Sequence, residues 1–358
     1  MSGYNVLIPD ICRQQSPQVT LPVMDALQSM GHTPVTLSMI AINDMYQTMR
    51  YQRHGCYEIF QFYVQDLVRK GNINFGFSVG LTSVLEDPIK NETHSLFEEC
   101  CVPNIVYLHT REHGTVAKLL EVGAADWQHS FIAVTSSKLA SLLEKRGIKR
   151  VMHIHPGVCP RIYFPADHPP VNAAYALKPG DERLTAGFDV SFAGSCTAQR
   201  EQLLVALKDA GVKLAIFGSD SWRGSVLNGQ WRGQADYLTE LNTVFAASKI
   251  VLDLSHEQCI FQDYIGMRVF DCLASGSALA TYRRMGLDDV VDSERDVIPF
   301  DDTGELVKAV IYYLEHDKER LTIAQRGHRR IMEQGRWEHR LGCLIPQLEM
   351  HLLACARI

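Results

Sequence analysis

The sequence predicts an α/β protein built from two Rossmann-like domains that face each other across a cleft. Three observations predict it. Short apolar runs alternate with helical patterns through the first half, a proline-rich stretch interrupts them, and the same alternation then restarts. A length of 358 residues agrees, since about two domains of ~150 residues fit the chain.

In the first half, residues 4–8 read as a strand and 20–31 as a helix closed by Gly31. A strand over 34–37 follows, then a helix over 59–70 closed by Gly71. Short buried strands are expected over 74–79, 104–108 and 131–135. A helix over 136–146 ends at Gly147. Repeated β-α-β units of this kind imply a parallel sheet covered by helices on both faces. Between His155 and Glu182 stand Pro156, Pro160, Pro165, Pro169, Pro170 and Pro179, six of the 14 prolines, which marks a linker. Beyond it, strands are expected over 188–193, 213–217, 250–254 and 278–281. Helices are expected over 199–210, 237–247, 267–274, 303–315 and 318–327, and a long amphipathic helix over 337–356. The expected division is an N-terminal domain over 1–155, a linker over 156–185, a second domain over 186–335, and a C-terminal helix over 336–358 that packs back on the first domain. Open α/β sheets bind ligands at the carboxyl ends of their strands, so the chemistry is expected there.

Composition narrows the classes. A net charge of −6 provides no global field for nucleic acid or anionic lipid. Ten scattered cysteines without a C-x-x-C pair suit reduced thiols. The first ten residues have no basic n-region, and no apolar stretch reaches the ~20 residues of a membrane span. The expected location is the cytoplasm. The oligomeric state is left open.

The densest chemical signal runs from Asp263 to Gly276, where a loop containing Gly266 precedes a helix. A helix N-terminus has unpaired N–H groups and partial positive charge, and can hold a pyrophosphate. Arg268 adds a forked, fully charged donor. Asp271 can accept from ribose hydroxyls, and Asp263 can meet a donor sugar. A second cluster, Gly194 and Ser195 through Arg200, opens the helix after the strand at 188–193, where phosphate or base contacts are expected. Gly218 follows the next strand, and its loop is a candidate neighbour of the base. In the first domain His109 directly follows a strand and is the candidate to bind the sugar or orient the acceptor.

These residues resemble the glycosyltransferase domain of the spore-maturation-type (CgeB-like) proteins, relatives of retaining glycosyltransferase family 4. The resemblance rests on Val190 to Ser195 with Arg200, Phe245 to Asp253, Gly266 to Gly276, Val307 to His316, and Arg320 to Gly327 with Trp337 to Arg340. It implies the two-domain GT-B fold and a nucleotide-sugar donor, a UDP-sugar first. It also implies retention at the anomeric carbon and a reaction with no cofactor or metal. The wider family's Glu-x7-Glu appears here as Asp263 and Asp271, a shorter carboxylate at both places. The resemblance assigns Arg268 to the diphosphate, Asp271 to the ribose, and His109 and Asp263 to the reacting sugar. The acceptor is not legible; protein, glycan, lipid-linked glycan and nucleobase all stay open.

Rival readings stand beside this one. His109-Thr-Arg-Glu-His113 spells a zinc-peptidase motif, but its first histidine ends a strand and Gly114 follows the second, so one helix face cannot carry both. A sugar-nucleotide epimerase needs acid/base carboxylates around the sugar in the first domain, and none is evident. A two-lobed periplasmic sugar binder would carry a signal peptide. A catalytically silent, glycosyltransferase-like binding subunit is the remaining alternative, because both motif glutamates are aspartates.

Overall fold

The computed structural model describes residues 3–10, 17–38, 64–79, 97, 100–108, 129–254 and 263–355. The chain divides into two compact units, Met1–His155 with Trp337–Ile358, and Pro156–Arg336.

The first unit carries β1 (Asn5–Asp10), α1 (Pro17–Ser29), β2 (Thr33–Ser38), β3 (Phe75–Val79), β4 (Asn104–Leu108), β5 (Ser130–Val134), α2 (Ser137–Lys145) and β6 (Val151–His153). All pairings are parallel, in the order β2-β1-β3-β4-β5-β6. Every residue of β4 and β5 is buried, as expected of strands covered on both faces. Asn104, fully buried on β4, donates from Nδ2 to Ser78 Oγ at 2.7 Å, which satisfies part of its amide. The α2 helix starts where Ser136 Oγ accepts from Leu139 N, and its buried face is Leu139, Ala140 and Leu143. Gly147, expected to close it, has φ 89°. The last helix of the chain, α9 (Trp337–Cys355), belongs to this unit. Its Trp337 is 1% exposed and sits edge-on to Tyr107 at 5.2 Å, and Glu349 accepts from the Tyr4 hydroxyl.

The second unit carries α3 (Glu182–Thr185), β7 (Val190–Ala193), α4 (Ala198–Asp209), β8 (Leu214–Phe217), α5 (Leu241–Ala247), β9 (Ile250–Asp253), α6 (Met267–Ala274), β10 (Ala278–Tyr282), β11 (Ile298–Phe300), α7 (Thr303–Glu315) and α8 (Asp317–Gln334). Its parallel sheet has the order β11-β10-β9-β7-β8. From β7 the chain moves outward to β8, then returns to place β9 on the other side of β7. The crevice between β7 and β9 is therefore the topological switch point, where such sheets take ligands. One core layer gathers Leu203, Leu204 and Leu207 of α4 with Leu306 and Val310 of α7. The other gathers Val244 and Phe245 of α5 with Val269, Phe270 and Leu273 of α6.

Several elements differ from the sequence reading: α3 is additional, α8 runs on to Gln334, and three further differences have a plain cause. The proline-rich segment expected as a linker is part of the second unit. Ile162, Tyr163 and Phe164 within it are buried, and Asn242 bonds both the N–H and the carbonyl of Phe164. Each such side chain contributes ~1.5–3 kcal/mol on burial, enough to hold the segment against the core. The strand β11 escaped notice because Pro299 interrupts a three-residue run, and the sheet tolerates proline there because β11 is an edge. Finally, α5 begins at Leu241 rather than 237, because Asp236 folds the preceding residues into a turn. Its Oδ1 accepts from Leu238 N, Thr239 N and Thr239 Oγ1.

Candidate donor site at the β7/β9 switch point

The turn leaving β7 is built from its glycine outward. Gly194 N donates to Phe217 O, and Trp222 Nε1 donates to Gly194 O at 2.8 Å. A Cβ on Gly218 would collide with that same Gly194 carbonyl, so the loops after β7 and β8 lie against each other only because residue 218 has no side chain. Ser221 Oγ accepts from Cys196 N at 3.0 Å and completes the lacing. Thr197 then caps α4 by accepting from Arg200 N.

Arg200 spends its donors inside this frame. Its Nη1 donates to Ser195 O at 2.9 Å and to Ser195 Oγ at 3.0 Å, and its Nε donates to Leu254 O at 3.0 Å. Leu254 directly follows β9, so one guanidinium clamps the two chain segments that leave the switch point. The Phe192 ring lies 5.5 Å from the same guanidinium.

Arg268 sits differently. It is the second residue of α6, whose N-cap, Gly266, has no side chain to satisfy the first N–H groups. Its Nη2 donates to Ala193 O, the last residue of β7, at 2.9 Å, and its guanidinium stacks 5.1 Å from the Phe245 ring. Its Nη1 is buried, and no described residue accepts from it. Leaving a charged donor in that state costs at least ~1–3 kcal/mol. Unpaired Nη1, the open helix N-terminus and the end of β7 thus converge at one place.

Asp271, one turn further along α6, is 2% exposed. The Tyr237 hydroxyl donates to its Oδ2. Burial pushes the Asp271 carboxyl up to about 7, against the opposing pull of the Tyr237 hydrogen bond and the Arg268 charge. Tyr237 was expected inside a helix; the Asp236 turn frees it to reach across. Its own carbonyl accepts from the Tyr163 hydroxyl at 2.7 Å, and the two rings meet edge-on at 5.6 Å. Burial and the nearby carboxylate hold both phenols well above the ordinary tyrosine range. Asp263 is buried as well, with φ 54°, a left-handed conformation that aspartate tolerates better than most residues.

The structure therefore gathers Gly194, Ser195, Arg200, Gly218, Gly266, Arg268 and Asp271 on the β7, β8 and α6 segments of the second unit. His109, with the rest of the 109–113 motif, lies outside the described residues. Among the described residues no three metal-ligating side chains cluster. Sequence reading missed Tyr237 and Tyr163. It also missed a buried ion pair at the same sheet edge, in which Arg284 Nη2 donates to Asp253 Oδ2 at 2.6 Å beside Thr281 Oγ1. A cavity of about 380 Å³, lined by Tyr163, Pro165, Gly276 and His328 among others, lies by the C-terminal end of α6. It is at the wrong end of that helix to belong to the site.

Comparisons with known proteins bear on the fold and on part of the chain. The Glycosyl transferase-like family matches residues 199–345, a span that contains Arg200, Asp263, Arg268 and Asp271. No curated protein matches the chain. Among solved structures, a glycosyltransferase from Rickettsia africae ESF-5 superposes with a TM-score of 0.66 at 11% identity, covering 98% of this chain and 99% of that one. Sucrose-phosphate synthase from Thermosynechococcus elongatus gives 0.63 at 12%, covering 98% and 100%. Anabaena Alr3699/HepE in complex with UDP-glucose gives 0.62 at 9%, covering 99% and 100%. Identities this low speak for the fold alone. No helix among the described residues is long and apolar enough to cross a membrane. The chain thus has the two parallel-sheet α/β domains of the GT-B fold, and its residues 199–345 match the Glycosyl transferase-like family.

Proposed function

We propose that the protein transfers a sugar from a nucleoside diphosphate sugar, a UDP-sugar first, to an acceptor, with retention at the anomeric carbon. The observation that carries this reading is the buried Nη1 of Arg268, unpaired among the described residues, beside the uncapped N-terminus of α6 at the switch point. A diphosphate supplies the missing acceptor and the negative charge that a helix N-terminus favours. As the glycosidic bond breaks, charge accumulates on the leaving diphosphate. Arg268 and the first N–H groups of α6 meet it there, already oriented, so the transition state gains more than the ground state. No metal or cofactor is required in this reading, and the nucleotide sugar is a substrate.

Asp271 takes the ribose hydroxyls. Asp263 and His109 are assigned to the reacting sugar by the resemblance to family 4. Arg200 acts at one remove, by fixing the loops that leave β7 and β9. Retention follows the same resemblance. A cytoplasmic location is proposed with it, from ten scattered cysteines without a C-x-x-C pair.

A thermal-shift screen against UDP-, GDP-, dTDP- and CDP-sugars tests the reading. A ligand that binds only the folded chain raises its Tm. The expected result is a rise with one diphosphate class that Arg268→Ala and Asp271→Ala abolish. No rise with any of the four refutes it.

A further inference from the structure

We infer that Tyr237 is a positioning residue for donor binding, which aims the Asp271 carboxylate at the ribose by holding its Oδ2. This inference rests on the donor-site reading above and deepens it. Tyr237 belongs to neither aspartate motif, and it comes from a different segment of the chain.

The geometry supports the role in three steps. The carboxyl of Asp271 is nearly inaccessible, so its orientation is set by its partners and not by solvent. Among the described residues its hydrogen-bond donor is the Tyr237 hydroxyl. Tyr237 is itself fixed from two sides: the Asp236 turn sets its backbone, and Tyr163 both donates to its carbonyl and packs on its ring. A hydroxyl on so rigid a mount pins one carboxylate oxygen. A carboxylate offers about four acceptor positions, so capacity remains for ribose hydroxyls.

Charge gives the same answer. A carboxyl that accepts from sugar hydroxyls works best ionised, yet burial opposes ionisation here. Two groups oppose burial: the phenol of Tyr237 from the 236–240 turn and the guanidinium of Arg268 from α6 itself. Tyr163, the other titratable side chain packed alongside, presents its hydroxyl to the Tyr237 carbonyl and not to the carboxylate. Arg268 is engaged with the end of β7 and, in this reading, with the diphosphate. Tyr237 is then the donor dedicated to the carboxylate.

The test is calorimetric titration of the full chain and of Tyr237→Phe with two probes, UDP and 2′,3′-dideoxy-UDP, over about pH 6 to pH 9. Phenylalanine keeps the ring and removes only the hydroxyl. The expected result is that UDP affinity falls about tenfold in Tyr237→Phe while dideoxy-UDP affinity is unchanged, because only UDP presents ribose hydroxyls to Asp271. The pH at which UDP binding reaches half strength should also move upward in the variant. A merely structural tyrosine would weaken both probes alike and leave that midpoint in place, and either result overturns the inference while leaving the donor site standing. If the thermal-shift screen selects another base, that nucleoside diphosphate and its 2′,3′-dideoxy form replace the pair; failure of the unaltered protein to bind either then overturns the donor-site reading and this inference together.

Discussion

Two arginines flank the same switch point and do opposite things with their donors. Arg200, at the start of α4, has Nε bonded to Leu254 and Nη1 bonded to Ser195. Arg268, at the start of α6, bonds the end of β7 through Nη2, and its buried Nη1 is unpaired among the described residues. The first arrangement lowers the energy of the folded chain by itself. The second raises it until an acceptor arrives. Residue type does not distinguish the two; the presence of carbonyl acceptors around each guanidinium does.

The largest expected effect tests the second arginine. Arg268→Ala should weaken binding of the preferred nucleoside diphosphate about 100-fold by calorimetry, the value of roughly 3 kcal/mol of charge-assisted hydrogen bonding. If affinity survives, the contrast between the arginines fails. Gly218→Ala comes next. Its new Cβ meets the Gly194 carbonyl, so the β7 and β8 loops must part, and unfolding midpoints in urea should report a loss of about 2–3 kcal/mol. Arg200→Ala should lose about 2 kcal/mol of stability from its severed hydrogen bonds, seen as a Tm lower by roughly 4–8 °C. Its nucleotide affinity should change by less than about threefold. A loss as large as that of Arg268→Ala would show that both arginines face the ligand.

The last expected effect concerns Asp271, and its size depends on pH. The folded-state pKa of about 7 lies above the unfolded value of 3.8, so the folded chain binds the proton more tightly. Stability from this group is full below about pH 4 and is lost as pH rises toward about pH 7. Asp271→Asn removes that loss. The variant should melt several degrees above the unaltered protein at about pH 8 and match it at about pH 4, and its weaker nucleotide binding should show at about pH 8 only. A variant that melts lower at the alkaline pH would mean that ion pairing with Arg268 outweighs the cost of burial.

Much of this was legible in the sequence, for reasons that can be named. The α6 helix and the spacing of Arg268 and Asp271 along it are local, and local periodicity reports them. The alternation that revealed both sheets is local too. Tyr237 was not legible. Its partner lies 34 residues away, and whether it faces that partner depends on a turn that Asp236 imposes on a segment with helical composition. The hydrogen bonds of Arg200 were not legible for a similar reason, since one of its acceptors lies 54 residues on. The proline-rich segment misled because prolines report backbone stiffness and say nothing of the tyrosine and phenylalanine buried between them.

The division of the chain also sets an order of events during synthesis. The second unit is one continuous stretch, from Pro156 to Arg336, whereas the first is interrupted by it and completed by α9. Trp337, which packs against Tyr107, leaves the ribosome only after the whole second unit has been made. At about 5–20 residues per second, the nascent first unit waits on the order of ten seconds or more for its last helix. Throughout that interval the Tyr107 side of β4 lacks its tryptophan, and the part of the protein translated first is the part finished last.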